Sequence, residues 1–152
     1  MLSNTLNYSE CGLLLPQKEP YTLTLFEIEV QYGRGNHTRR NVFDGLARGT
    51  ENMVEAGVER IILGGSFISQ KQEPGDADIA WWYTPSIDWG VLDSVFQSTD
   101  RRQARGKYLI DHKIDGIEEV PYESTHEYFL RSNMRMPFGY QNVGIIQITF
   151  GG

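Results

Sequence analysis

Cysteine is nearly absent from this chain: Cys11 stands alone among 152 residues. One thiol excludes an intrachain disulfide and any cysteine-based zinc cluster, so a reducing, cytoplasmic setting is expected. Long apolar runs are missing too. No stretch approaches the roughly 20 residues that a membrane-crossing helix needs, and no basic segment precedes the short Leu13-Leu14-Leu15 run, so neither a span nor a secretory leader is expected. Positive charge is scarce, with 14 Lys and Arg against 20 Asp and Glu and a net charge of −6. That balance argues against broad, non-specific binding to DNA, which requires a dominant positive field. Histidine is limited to three residues. None forms a recognisable nucleophile, histidine and acid arrangement with Ser66, so a serine-hydrolase reading is not supported. No repeat or low-complexity segment is present.

The length suits a single domain with a substantial core, too short for a catalytic domain plus a separate acceptor-binding one. Residues 1–22, polar and broken by Pro16 and Pro20, read as an extended arm packed on a domain spanning 23–152. Thr24 followed by Glu27 predicts a capping box opening a short helix that Gly33 and Gly35 end. A longer helix is expected after Thr38, with Val42, Leu46, Met53 and Val54 as its apolar stripe, Gly45 and Gly49 weakening it and Gly57 stopping it. Arg60-Ile61-Ile62-Leu63 and Ile79-Ala80-Trp81-Trp82-Tyr83 read as strands. Ile87, Val91, Leu92, Val95 and Phe96 recur at helical spacing, 107–115 reads as a third strand, Ser124 or Thr125 is placed at the start of a helix carrying Tyr128, Phe129 and Leu130, and 143–150 alternates as a last strand.

The most informative pattern is Gly65-Ser66, nine residues, then Asp76-Ala77-Asp78, set between the first two strands. If both aspartates open the second strand, the period of two puts them on one face, roughly 6 to 7 Å apart along the chain. Such a pair suits a hard divalent cation, and a small Gly-Ser turn lets phosphate oxygens approach backbone amides. The alternative is a solvated Glu73-Pro74-Gly75-Asp76 turn, but it leaves Asp78 as an unpartnered charge at the edge of an apolar strand.

Leu63-Gly64-Gly65-Ser66 with Asp76-Ala77-Asp78-Ile79 resembles the signature of the polymerase-β-like nucleotidyltransferases. Gly12 to Pro16, the 24–33 segment, Arg39-Arg40, Phe67, Lys71, Pro74 and Gly144-Ile145-Ile146 extend the likeness over most of the chain, toward a small bacterial group of nucleotidyltransferase-like proteins. The resemblance implies an α/β (α+β) domain, a minimal nucleotidyltransferase-like fold with a mixed central sheet and helices mainly on one face. It implies Asp76, Asp78 and a third carboxylate as ligands of Mg²⁺, or Mn²⁺. The third carboxylate is Asp111, with Asp115 the turn-adjacent alternative; Asp111 also reads as a strand carboxylate pairing with Lys113 or Arg105. Gly65, Ser66 and Lys71 would meet a nucleoside triphosphate, Lys71 being equally readable as a solvated loop lysine. The acceptor, a hydroxyl of a protein, a small molecule or an RNA, is left open. A member without turnover, serving as a nucleotide-binding or protein-interaction module, for example in a toxin-antitoxin or defence system, is the other reading.

Two basic clusters accompany the motif: Arg34, His37, Arg39 and Arg40, and then Arg101, Arg102, Arg105 and Lys107. The second, leading directly into the Asp111 strand, is the candidate acceptor-binding group. His112 is expected in the core beside Ile110 and Ile114, and Trp81, Trp82 and Trp89 as core and strand-edge packing.

Overall fold

The computed structural model describes residues 6–115, 134–136, 139–141 and 143–151. Two β-branched runs, four-residue β2 (Ile61–Gly64) and β7 (Ile146–Thr149), form the middle of a five-stranded sheet. Its order is β1 (Tyr21–Thr24), β7, β2, β3 (Ala77–Trp82) and β4 (Ile110–Asp115). β2 runs antiparallel to both neighbours, whereas β1 with β7 and β3 with β4 are parallel. The sheet is therefore mixed. A separate two-stranded ribbon pairs β5 (Met134–Met136) with β6 (Gly139–Gln141).

Three helices cover one face. α1 (Leu25–Tyr32) opens with the Thr24–Glu27 capping box and closes at Gly33. α2 (His37–Glu55) is capped by the Asn36 side chain, which accepts from the Arg39 amide at 2.9 Å. Helix therefore begins ahead of Thr38, because Asn36 already satisfies a free amide of the first turn. α3 (Arg102–Tyr108) completes the set. Alternation along each strand then divides the sheet. Leu23, Ile61, Leu63, Ile79, Trp81, Ile110 and Ile146 join Ile28, Leu46, Met53 and Ala104 of the helices in the main core, while Ile62, Ala80 and Ile145 form a small cluster with Trp82 on the opposite face. The arm crosses the core edge through buried Leu13 and Leu14, with the Leu14 carbonyl accepting from the Gly144 amide at 2.8 Å.

Two sequence expectations change. Residues 107 and 108 end α3 instead of starting a strand, and Leu109 at φ 54° turns the chain left-handed into β4. The apolar spacing from Ile87 to Phe96 belongs to a turn-rich segment with a single 3₁₀ turn at Ser94–Phe96. Ile87, Leu92 and Phe96 are buried as expected, but Asn52 of α2 holds the main chain, donating to the Val91 carbonyl and accepting from the Asp93 amide. Pro85 and Gly90 supply the breaks in helical geometry. The helix expected from 124 or 125 lies outside the described residues.

Gly45 and Gly49, which weaken α2 as an isolated helix, are what allow it to dock. A Cβ on Gly45 would sit 1.8 Å from the Tyr108 carbonyl oxygen, and one on Gly49 2.6 Å from Ile110 Cδ1. The α3–β4 junction thus rests on bare helix backbone, and that junction sets where β4 begins. In an exposed helix, Gly45→Ala would gain close to 1 kcal/mol of helix propensity. Here the clash with main chain dominates, and we expect a net loss of roughly 2–3 kcal/mol in urea-unfolding experiments.

Candidate metal centre

β3 and β4 are parallel neighbours in a register that places Asp78 directly beside Asp111. Both side chains lie on the face turned away from the helices, since flanking Ala77, Ile79, Ile110 and His112 point into the main core or beneath it. Asp76 shares their parity just ahead of β3. Together the three residues offer carboxylate oxygens that lie within 4.8 Å of one another. Among the described residues Asp111 is thus the third carboxylate of the group.

The Gly65-Ser66 bend closes one side of this cluster. Gly64 pairs with Asp78 across β2 and β3, and Gly65 adopts φ 78° as the chain leaves β2. A Cβ at Gly65 would fall 2.0 Å from Asp78 Oδ2. Glycine is therefore required twice, by its dihedral angle and by the carboxylate pressed against its backbone.

Three acidic groups at this separation cannot all ionise cheaply. Burial first, then the charges of Asp76 and Asp111, raise the Asp78 carboxyl from 3.8 to about 7, against the opposing pull of Lys113 and Arg105. Arg105 of α3 donates from Nε and Nη2 to the same Asp76 oxygen at 3.0 and 2.8 Å. Arg101 Nη1 stands 3.6 Å from Asp111 Oδ1, beyond hydrogen-bond reach, and that buried oxygen has no hydrogen-bond partner. An all-oxygen set with one orphaned buried acceptor fits a hard divalent cation such as Mg²⁺ or Mn²⁺.

The basic residues sort differently from their sequence clusters. Arg105 and Arg101 face the carboxylates, whereas Arg102 pairs with Asp100 at 2.9 Å and Lys107 with Asp93 at 2.5 Å, away from them. Lys113 was legible from parity alone, being two residues beyond Asp111 on the same face, yet its influence reaches Asp78. Arg39 is buried, and its guanidinium donates to the carbonyls of Tyr32, Phe67, Ser69 and Lys71. It clips the loop that follows Ser66 onto α2. The Lys71 side chain is exposed and lines a separate cavity that none of the three carboxylates borders. His112 is buried as expected and accepts from Trp81 Nε1 at 3.1 Å. Burial lowers its pKa, so the neutral ring serves as packing between β3, β4 and Phe96.

A mixed α+β sheet bearing three convergent carboxylates beside a glycine bend defines a candidate divalent-cation centre. The chain belongs to a family of unknown function, DUF6932, whose model matches residues 6–149. No curated protein and no solved structure matches it. Among the described residues, no helix is long and apolar enough to cross a membrane.

The raised Asp78 pKa carries a definite sign. A carboxyl that holds its proton more tightly when folded contributes stability that is complete below the unfolded value of 3.8 and lost as pH rises through about 7. In chelator-treated protein we expect this contribution to fall by roughly 2–3 kcal/mol between about pH 5 and about pH 8, and Asp78→Asn to abolish that part of the pH dependence. Thermal unfolding followed by circular dichroism reads both. Added Mg²⁺ should raise the melting temperature more at the higher pH, where it need not displace a proton.

Proposed function

We propose that this chain is a divalent-cation-dependent nucleotidyltransferase, moving a nucleoside monophosphate from a nucleoside triphosphate to an acceptor hydroxyl. The observation that carries the reading is the convergence of Asp76, Asp78 and Asp111 to within 4.8 Å, at a bend whose Gly65 backbone touches Asp78. Spacing and residue types at that bend also support it, through the likeness to the polymerase-β-like nucleotidyltransferases.

In this reading Asp76, Asp78 and Asp111 hold the cation, Mg²⁺ or Mn²⁺. Bound there, it supplies charge neutralisation to the triphosphate and acidifies the attacking hydroxyl. Gly65, with no Cβ, leaves its amide and that of Ser66 accessible to phosphate oxygens, and the Ser66 hydroxyl adds a donor. Asp78 must be ionised to ligate, so activity rises with pH through its titration range. The acceptor hydroxyl releases its proton to solvent as its oxygen bonds to the α-phosphorus, the bond from that phosphorus to the bridging β-phosphate oxygen breaks, and pyrophosphate departs. Arg105 and Arg101, more than half exposed at 56% and 55%, can follow the developing negative charge without unfolding α3.

Those same arginines favour a second reading. Because Arg105 already neutralises Asp76 and Arg101 approaches Asp111, the carboxylates have internal counter-ions, as suits a binding module without turnover. Nucleoside triphosphates labelled at the α-phosphate, incubated with the protein and Mg²⁺ in lysate, separate the two. Transfer of label to an acceptor by the parent, reduced to background by Asp78→Asn, is the expected outcome. Saturable binding of ATP with Mg²⁺ by calorimetry but no transferred label would leave the module. Equal binding heats in the parent and in Asp76→Asn plus Asp78→Asn would remove the site.

A further inference from the structure

A cavity of about 450 Å³ lies between the end of α1, the start of α2 and the loop 69–72. It is within the size range of small-molecule sites. Its charge is the reverse of the whole chain's: a protein of net charge −6 lines this space with Arg39 and Lys71 and with no aspartate or glutamate.

The two cations are held in different ways. Arg39 is only 7% exposed and gives its Nη hydrogens to four backbone carbonyls. Carbonyl dipoles solvate a guanidinium but do not cancel its charge, so a net positive field persists at the cavity wall. Lys71 is exposed at the same wall and has no carboxylate within ion-pair distance among the described residues. Around them stand neutral groups that both donate and accept. Gln31 Nε2 donates to the Tyr8 hydroxyl at 3.1 Å, which in turn donates to the Tyr32 hydroxyl at 2.7 Å, and Gln70 and Gln72 are also among the lining residues.

We propose that this cavity is a second ligand site, taking a small anion that carries several hydroxyl groups, of the size of a sugar phosphate. Lys71 supplies the point charge that meets the anionic group, as lysine does for phosphate. The glutamine amides and tyrosine hydroxyls match sugar hydroxyls, which likewise donate and accept. A hydrophobic ligand would take the Lys71 ammonium out of water with nothing in exchange. None of the three carboxylates borders the cavity, so the assignment stands independently of the transferase reading.

Titration calorimetry on the full chain without divalent cation tests it, with ribose 5-phosphate, gluconate, ribose and inorganic phosphate as probes. Ribose 5-phosphate or gluconate should bind at least about tenfold more tightly than ribose or phosphate alone, and their ranking identifies the anion as phosphate or carboxylate. Lys71→Gln should weaken the better probe by about tenfold. Gly35→Leu should weaken it further, because a Cβ there meets nothing nearer than Arg39 Cδ at 3.5 Å and the added side chain occupies cavity volume without disturbing the fold. Asp78→Asn should leave the affinity unchanged. The proposal is overturned by absence of saturable binding for all four probes, by binding indifferent to both cavity variants, or by binding lost in Asp78→Asn.

Discussion

Mutual repulsion among Asp76, Asp78 and Asp111 is the constraint around which this structure is organised. Register pairing of β3 with β4 forces two of the carboxylates side by side, and the approach of Gly65 removes water from one of them. Everything charged in the vicinity responds. Arg105 grips Asp76, Arg101 stands off Asp111, Lys113 lowers the penalty on Asp78, and Asp78 itself retains its proton up to near-neutral pH. A sheet that merely needed solubility on its second face would spread such charges apart, since adjacent like charges on neighbouring strands are destabilising.

The two faces of the sheet divide the labour. The helix-covered face holds the large buried side chains, including Trp81, Phe67 and Leu63. The other carries the three carboxylates, and its geometry is inherited from the first. β4 begins where it does because Tyr108 sits on the bare backbone of α2 at Gly45, and Leu109 then turns left-handed. Moving that junction by one residue would transfer Asp111 into the core and His112 out of it.

The carboxylates were legible in the sequence because parity along a strand is a local property: Asp76 and Asp78 need only one residue between them, and the strand that carries Asp111 is strongly β-branched at Ile110 and Ile114. The capping box of α1 followed from an equally local pattern, whereas the mixed sheet with helices on one face was implied only by the family resemblance. The start of β4 was not legible, since Lys107 and Tyr108 read as strand until their docking on α2 is known. Apolar spacing from Ile87 to Phe96 imitated a helix because a loop fastened at Asn52 can also bury every fourth or fifth residue. Arg39 was hidden for a different reason. A basic cluster announces a surface, and only the folded loop reveals four carbonyl oxygens turned toward one guanidinium. The division of Arg101 and Arg105 from Arg102 likewise depends on the azimuth of a single short helix.

Apart from the Phe67 ring beneath its guanidinium, the clip made by Arg39 engages main-chain oxygen alone. Anchoring of residues 67–71 is consequently blind to the identity of their side chains at the exposed positions, so Gln70 and Lys71 can be exchanged by mutation while the loop keeps its path. A scaffold of this kind separates inheritance of shape from inheritance of selectivity: descendants can rewrite what the neighbouring hollow prefers without disturbing the turn that leads from β2.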